Sequence, residues 1–179
     1  PLWETVRSLK DCNDLTVWHK ACYYDAPDEI VLALLHSAGP PDQSDGLKDS
    51  VYNASGMPSP MEFCINQGNW RPLQLILQHM QQAGSPATPA FLTTLADGVL
   101  CTSVFGCVKG RAKCGRCLGD AAHPHSPRLS FEKTLEVLVA YGLKKSPLGF
   151  ATANNHPLVK RLKKLLKDGP GEMKKRYSK

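Results

Sequence analysis

The residues of this chain best equipped for chemistry crowd into one stretch, CVKGRAKCGRCLGDAAHPH, residues 107–125, with three cysteines and two histidines. Thiolates and imidazoles are the ligands that a tetrahedral Zn²⁺ takes, four at a time. Cys114-Gly-Arg-Cys117 is a C-x₂-C knuckle, and Gly115 eases its tight turn. Six residues separate Cys107 from the knuckle, and five separate the knuckle from His123. The predicted ligand set is Cys107, Cys114, Cys117 and His123, with His125 or Cys101 as substitutes. The stretch has too little apolar mass to build its own core, so a metal would serve as a staple. The alternative is a basic loop with free thiols. A catalytic zinc needs an open position and a general base, and the nearest acid is Asp120, so the expected site is closed and structural. No βαβ pattern surrounds the C-x-x-C, which argues against thioredoxin-like redox chemistry.

Lys109, Arg111, Lys113 and Arg116 stand among these ligands, with Arg128 just beyond. They suit phosphates, or equally a solvated surface that lowers thiolate pKa values. Only Phe105 is at hand to stack on a base. Lys174, Lys175 and Arg176 add a second basic block near the end, and with Lys160–Lys164 they resemble a bipartite nuclear localisation signal. Nucleic acid is thus one candidate partner. An intracellular protein is expected, in nucleus or cytoplasm with the nucleus favoured.

The elements that position these residues follow from composition and pattern. With 42% hydrophobic and 21% charged residues, the 179-residue chain can bury a core. It has no 18-residue apolar run and no signal-peptide pattern, so no membrane partner is expected. Pro1 in place of Met is expected of a piece of a longer chain. Seven cysteines without a secretory signal read as reduced thiols or metal ligands, and the Asn53-Ala-Ser55 sequon as unused. Residues 1–60 hold 4 Lys/Arg and 9 Asp/Glu, whereas residues 61–179 hold 18 and 7. An acidic front and a basic back suit different partners.

Three stretches repeat a plan: TVWHKACYYDAPDEIVLALLHSAG from Thr16, SPMEFCINQGNWRPLQLILQHMQQAG from Ser59, and SPLGFATANNHPLVKRLKKLL from Ser146. Each opens on Ser/Thr, runs through a short helix with small residues inside, breaks, and resumes as an amphipathic helix. Ser or Thr can cap the first helix, and Pro60 and Pro147 sit where a missing N–H costs nothing. Ile30, Val31, Leu34 and Leu35 fall on one face, as do Leu73, Ile76 and Leu77. Such a pair cannot cover its apolar side alone, so neighbours must stack.

These stretches resemble ankyrin repeats. Thr16, His19 and Ala21 match the family's opening, as do Ser146, Pro147 and Leu148, and Asn154-Asn155-His156 resembles its corner. The resemblance implies an all-α helical repeat solenoid of about four divergent repeats over residues 1–168. It leaves a basic tail at 169–179. The third repeat would run from TPAFLTTLA to SFEKTLEVLVAYGL, with the Cys/His-rich segment, residues 97–129, inserted between its helices. It also implies a non-enzymatic scaffold that binds a protein through a concave face and finger loops. Tyr23, Tyr24 and Trp70 are placed near that face, inter-repeat packing being the other reading for Trp70 and the favoured one for Trp18. Asp42, Asp45 and Asp49 make the first loop acidic, which suits a basic peptide such as a histone tail. His19 is expected to hold its turn by hydrogen bonds, and Cys12, Cys22 and Cys64 to be packing thiols. No nucleophile–base pair, phosphate loop or paired carboxylate motif appears, so no enzyme and no small-molecule substrate is expected.

Overall fold

A computed structural model describes residues 9–12, 15–37, 60–108, 127–145 and 157–177, with side chains left aside at 101–108, 127–130, 157 and 174. The described residues are helical and form no strand: α1 (Val17–Tyr23), α2 (Asp28–Ser37), α3 (Pro60–Gln67), α4 (Trp70–Gln82), α5 (Pro89–Val108), α6 (Pro127–Ala140), α7 (Pro157–Asp168) and α8 (Pro170–Tyr177). The class is all-α, as the periodicity predicts. Five of these helices begin on proline, whose fixed φ and absent N–H fit the first helical position. The chain divides into two compact units, residues 1–87 and 88–179.

In the first unit two helical hairpins stack with like on like. α1 packs on α3 and α2 on α4. Ala21, Cys22, Cys64, Val31, Leu34, Leu35, Leu73, Ile76 and Leu77 form the core between them. The small side chains of Ala21, Cys22 and Cys64 sit where α1 and α3 meet, which lets the helices come close. Ile30 departs from the expected face: it is 51% exposed, and Val31, Leu34 and Leu35 fill the contact with α4. Cys12, expected to be a packing thiol, is exposed on the segment before α1.

Both hairpins turn in the same way. The first residue past α1's end region to take positive φ is Asp25 (53°), and Ala26 N–H then reaches back to Ala21 O at 3.0 Å. After α3, Gly68 (φ 73°) lets Asn69 N–H reach Cys64 O at 2.9 Å. This six-to-one closure satisfies a carbonyl that a helix end otherwise leaves open. The α1 start is closed by Thr16, whose N–H donates to His19 Nδ1 at 3.1 Å, with the hydroxyl 2.8 Å from the same nitrogen. His19 thus holds the turn, as expected.

The second unit centres on α6, which packs against α5, α7 and α8. The helix α5 runs to Val108, well into the segment 97–129 that the sequence reading assigns to an insertion. The reason is a stripe at i, i+3, i+4, i+7 and i+8, Leu92, Leu95, Ala96, Val99 and Leu100, all buried, which carries the helix past Gly98. The segment 169–179, read as a tail, forms α8 up to Tyr177. Gly169 (φ 85°) ends α7, Pro170 starts α8, and Met173 is buried. The expected first helix of the last repeat, from Ser146, lies outside the described residues, as do Asn154, Asn155 and His156.

Candidate functional site: an aromatic edge on the first unit

The hairpin turns of the first unit carry a series of rings. The His19 ring, 5% exposed, meets Phe63 edge-to-face at 5.6 Å. Phe63 meets Tyr23 at 5.7 Å, and Tyr23 meets Tyr24 at 4.8 Å, both edge-to-face. Tyr23 is 41% exposed and Tyr24 70%. The series therefore climbs from core to surface and ends in a phenol open to a partner. Edge-to-face pairs stabilise such an arrangement beyond simple burial.

Asn69 fixes the end of α1 that bears these rings. Its side-chain NH₂ donates to Cys22 O at 2.8 Å and to Tyr23 O at 2.9 Å, two carbonyls that have no helical partner. Two residues on, Arg71 grips Asp28 at the start of α2 with Nε 3.0 Å from each carboxylate oxygen, and gives Nη1 to Gln74 Oε1 at 3.2 Å. The Arg71 hydrogen bonds hold the Asp28 carboxyl below its usual range. The Arg71 guanidinium also sits 5.8 Å from the centre of the half-buried Trp70 ring. Asn69, Arg71 and Phe63 were not singled out in the sequence. The signal for Asn69 was its place after Gly68, a helix-end pair whose side chain is free to bond elsewhere.

Asp25 directly follows the tyrosines and Glu29 is in the first turn of α2, both exposed. Partial burial, then the neighbouring Asp28, raise the Asp25 carboxyl pKa. A carboxyl with a raised folded pKa weakens the fold above that pKa and ceases to do so below its unfolded value. Asp25→Asn keeps a residue that tolerates the left-handed turn and removes the charge. We expect it to raise the melting temperature at pH 7, with the gain shrinking as pH falls towards 3, in thermal melts followed by circular dichroism.

Of the residues singled out for a partner, Tyr23, Tyr24 and Trp70 come to one end of the two hairpins, and Asp42, Asp45 and Asp49 lie outside the described residues. For the metal, Cys114, Cys117, His123 and His125 also lie outside them. Cys101 and Cys107 are on α5, with their side chains outside the described residues. Among the described residues no cluster of metal-ligating side chains occurs. Of the basic residues, Lys109, Arg111, Lys113 and Arg116 lie outside. Lys174 is on α8, Lys175 pairs with Glu172 at 3.3 Å, and Arg176 approaches Glu136 at 3.9 Å. No described helix is long and apolar enough to cross a membrane. Compared with known proteins, the chain matches no family model, no curated protein and no solved structure.

Proposed function

We propose that this chain is a non-enzymatic protein-interaction scaffold of ankyrin-repeat type, and that the aromatic edge of its first unit docks a partner segment bearing cationic side chains. The observation that carries the reading is the ring series from His19 to Tyr24, anchored at its buried end and open at the other. An exposed tyrosine pair costs solvation unless something covers it, and aromatics are the commonest interface anchors. Asp25, next to Tyr24 in the chain, supplies the opposite charge for Lys or Arg, which also favours aromatic faces. The like-on-like stacking of the two hairpins supports the repeat reading.

Affinity purification from cell extract, with nuclease present, tests this proposal. The expected result is a protein partner that survives nuclease and is lost, with an affinity drop of about 10-fold or more, from Tyr23→Ala/Tyr24→Ala. Tyr24 is 70% exposed, so Tyr24→Ala alone should melt like the parent, and thermal melts check the double variant, which also gives up the Tyr23–Phe63 contact. A partner list identical for parent and variant would sink the reading.

The same scaffold carries a structural zinc in our proposal, held by Cys107, Cys114, Cys117 and His123, with His125 or Cys101 as substitutes. Protein purified without chelator is expected to hold about one zinc per chain and to lose it in Cys114→Ser/Cys117→Ser. Less than half an equivalent in the parent would dismiss the site.

A further inference from the structure

The division into two units coincides with a division of charge. Residues 1–87 hold 5 Lys/Arg against 10 Asp/Glu, and residues 88–179 hold 17 against 6. Within the second unit, α7 sorts its cations with unusual order. Lys160, Lys163, Lys164 and Lys167 recur at i, i+3, i+4 and i+7, which is one face of a helix, and all four are exposed. Leu158, Val159, Leu162 and Leu165 occupy the opposite face and are 0–2% exposed against the core. The remaining cation, Arg161, is on the flank, 2.6 Å from Glu136 and 3.9 Å from Glu132. None of the four lysines is paired with an acid among the described residues. The one acid of α7, Asp168, is its last residue and borders the stripe one turn beyond Lys164.

Four like charges along one face repel each other, and no ion pair among the described residues offsets them. From Lys160 to Lys167 the stripe is about 10 Å long, at 1.5 Å per residue. That length spans about three successive phosphates of one strand of a duplex. The face carries no aromatic side chain on which bases could stack, so single strands have no platform there. Of the α7 leucines, Leu158, Leu162 and Leu165 are buried in the protein and Leu166 is half-buried, which leaves little apolar surface for a bilayer. We propose that the α7 lysine stripe is a docking surface for the phosphate backbone of duplex nucleic acid, read without regard to sequence. This surface is independent of the aromatic edge of the first unit and of the Cys/His segment.

The test is fluorescence anisotropy of a labelled, random-sequence 20-base-pair DNA with the full chain, titrated between about 50 and 200 mM salt. Each phosphate contact contributes about 0.9 to the slope of log affinity against log salt. Replacing all four lysines with glutamine (K160Q, K163Q, K164Q and K167Q) is expected to lower the slope by about 2 to 3. Replacing the off-stripe, exposed Lys144 and Lys145 should change it by less than about 1. Circular dichroism melts check that the four-lysine variant, altered only at exposed positions, stays folded. An unchanged slope in that variant overturns the proposal. So does a parent chain that ignores the duplex but binds phosphatidylserine–phosphatidylcholine vesicles, which would make the stripe a membrane surface.

Discussion

Glu136→Ala is expected to destabilise the second unit by about 2–3 kcal/mol. Glu136 is 8% exposed and is the anionic centre that ties three helices together. Arg161 of α7 reaches its Oε1 at 2.6 Å, and the Tyr177 hydroxyl of α8 donates to its Oε2 at 3.0 Å. Burial first, then the Glu136 charge, keeps the Tyr177 phenol well above its ordinary pKa, so this contact is made by a neutral hydroxyl at every pH below the ordinary tyrosine value. Truncating Glu136 leaves an arginine and a phenol facing an apolar gap. Removing one partner of a fully buried pair costs about 3–5 kcal/mol, and the 30% exposure of the Arg161 side chain reduces that by letting water in. The companion variant Glu136→Met/Arg161→Met removes both charges and should recover most of the loss. Urea melts of the two proteins check the pair. Equal loss in both would mean that packing, not charge, holds α7 and α8 to α6.

Asn69→Asp should cost the first unit about 3 kcal/mol, and Asn69→Ala about 2. Alanine removes the two donors that satisfy Cys22 O and Tyr23 O. Aspartate does worse, since it sets a carboxylate against two carbonyls at the negative end of α1. Aspartate is otherwise a good helix start, so a sequence-based view of residue 69 as a simple cap would rate the change as harmless. Chemical unfolding monitored by tryptophan fluorescence separates the two views. The same variants should loosen Tyr23 and Tyr24 and weaken partner capture in proportion.

Much of the scaffold was readable because its signals are local. Thr16, Pro60, Thr88-Pro89 and the Leu periodicity mark helix starts and faces, and the buried set follows them closely. Thr88 Oγ1 indeed accepts Phe91 N–H at 3.2 Å at the head of α5. The extent of the helices was less legible where breaker residues fall. Gly98 does not stop α5, because Val99 and Leu100 continue a buried stripe across it. Pro170 and Gly171 do not make a tail, because Met173 and Tyr177 give α8 an inner side. Contacts such as Asn69 with Cys22, or Glu136 with Tyr177, join residues more than 40 positions apart and leave no local pattern. The aromatic edge was half legible: the tyrosines stood out by type, but the ring series needed Phe63 from the next hairpin.

Cys22 and Cys64, two of the small residues that let α1 meet α3, are both fully shielded, and burial holds the Cys64 thiol well above its ordinary pKa. A thiol reagent attacks the thiolate, so neither sulfur can react while the hairpins stay closed. Cys12, exposed before α1, has no such protection. The first unit therefore contains its own clock: alkylation of Cys12 records elapsed time, and alkylation of Cys22 and Cys64 records only the moments when the unit opens. Residue-resolved mass spectrometry of a labelling time course would read the opening free energy of this unit alone, without denaturant and without a signal from the rest of the chain.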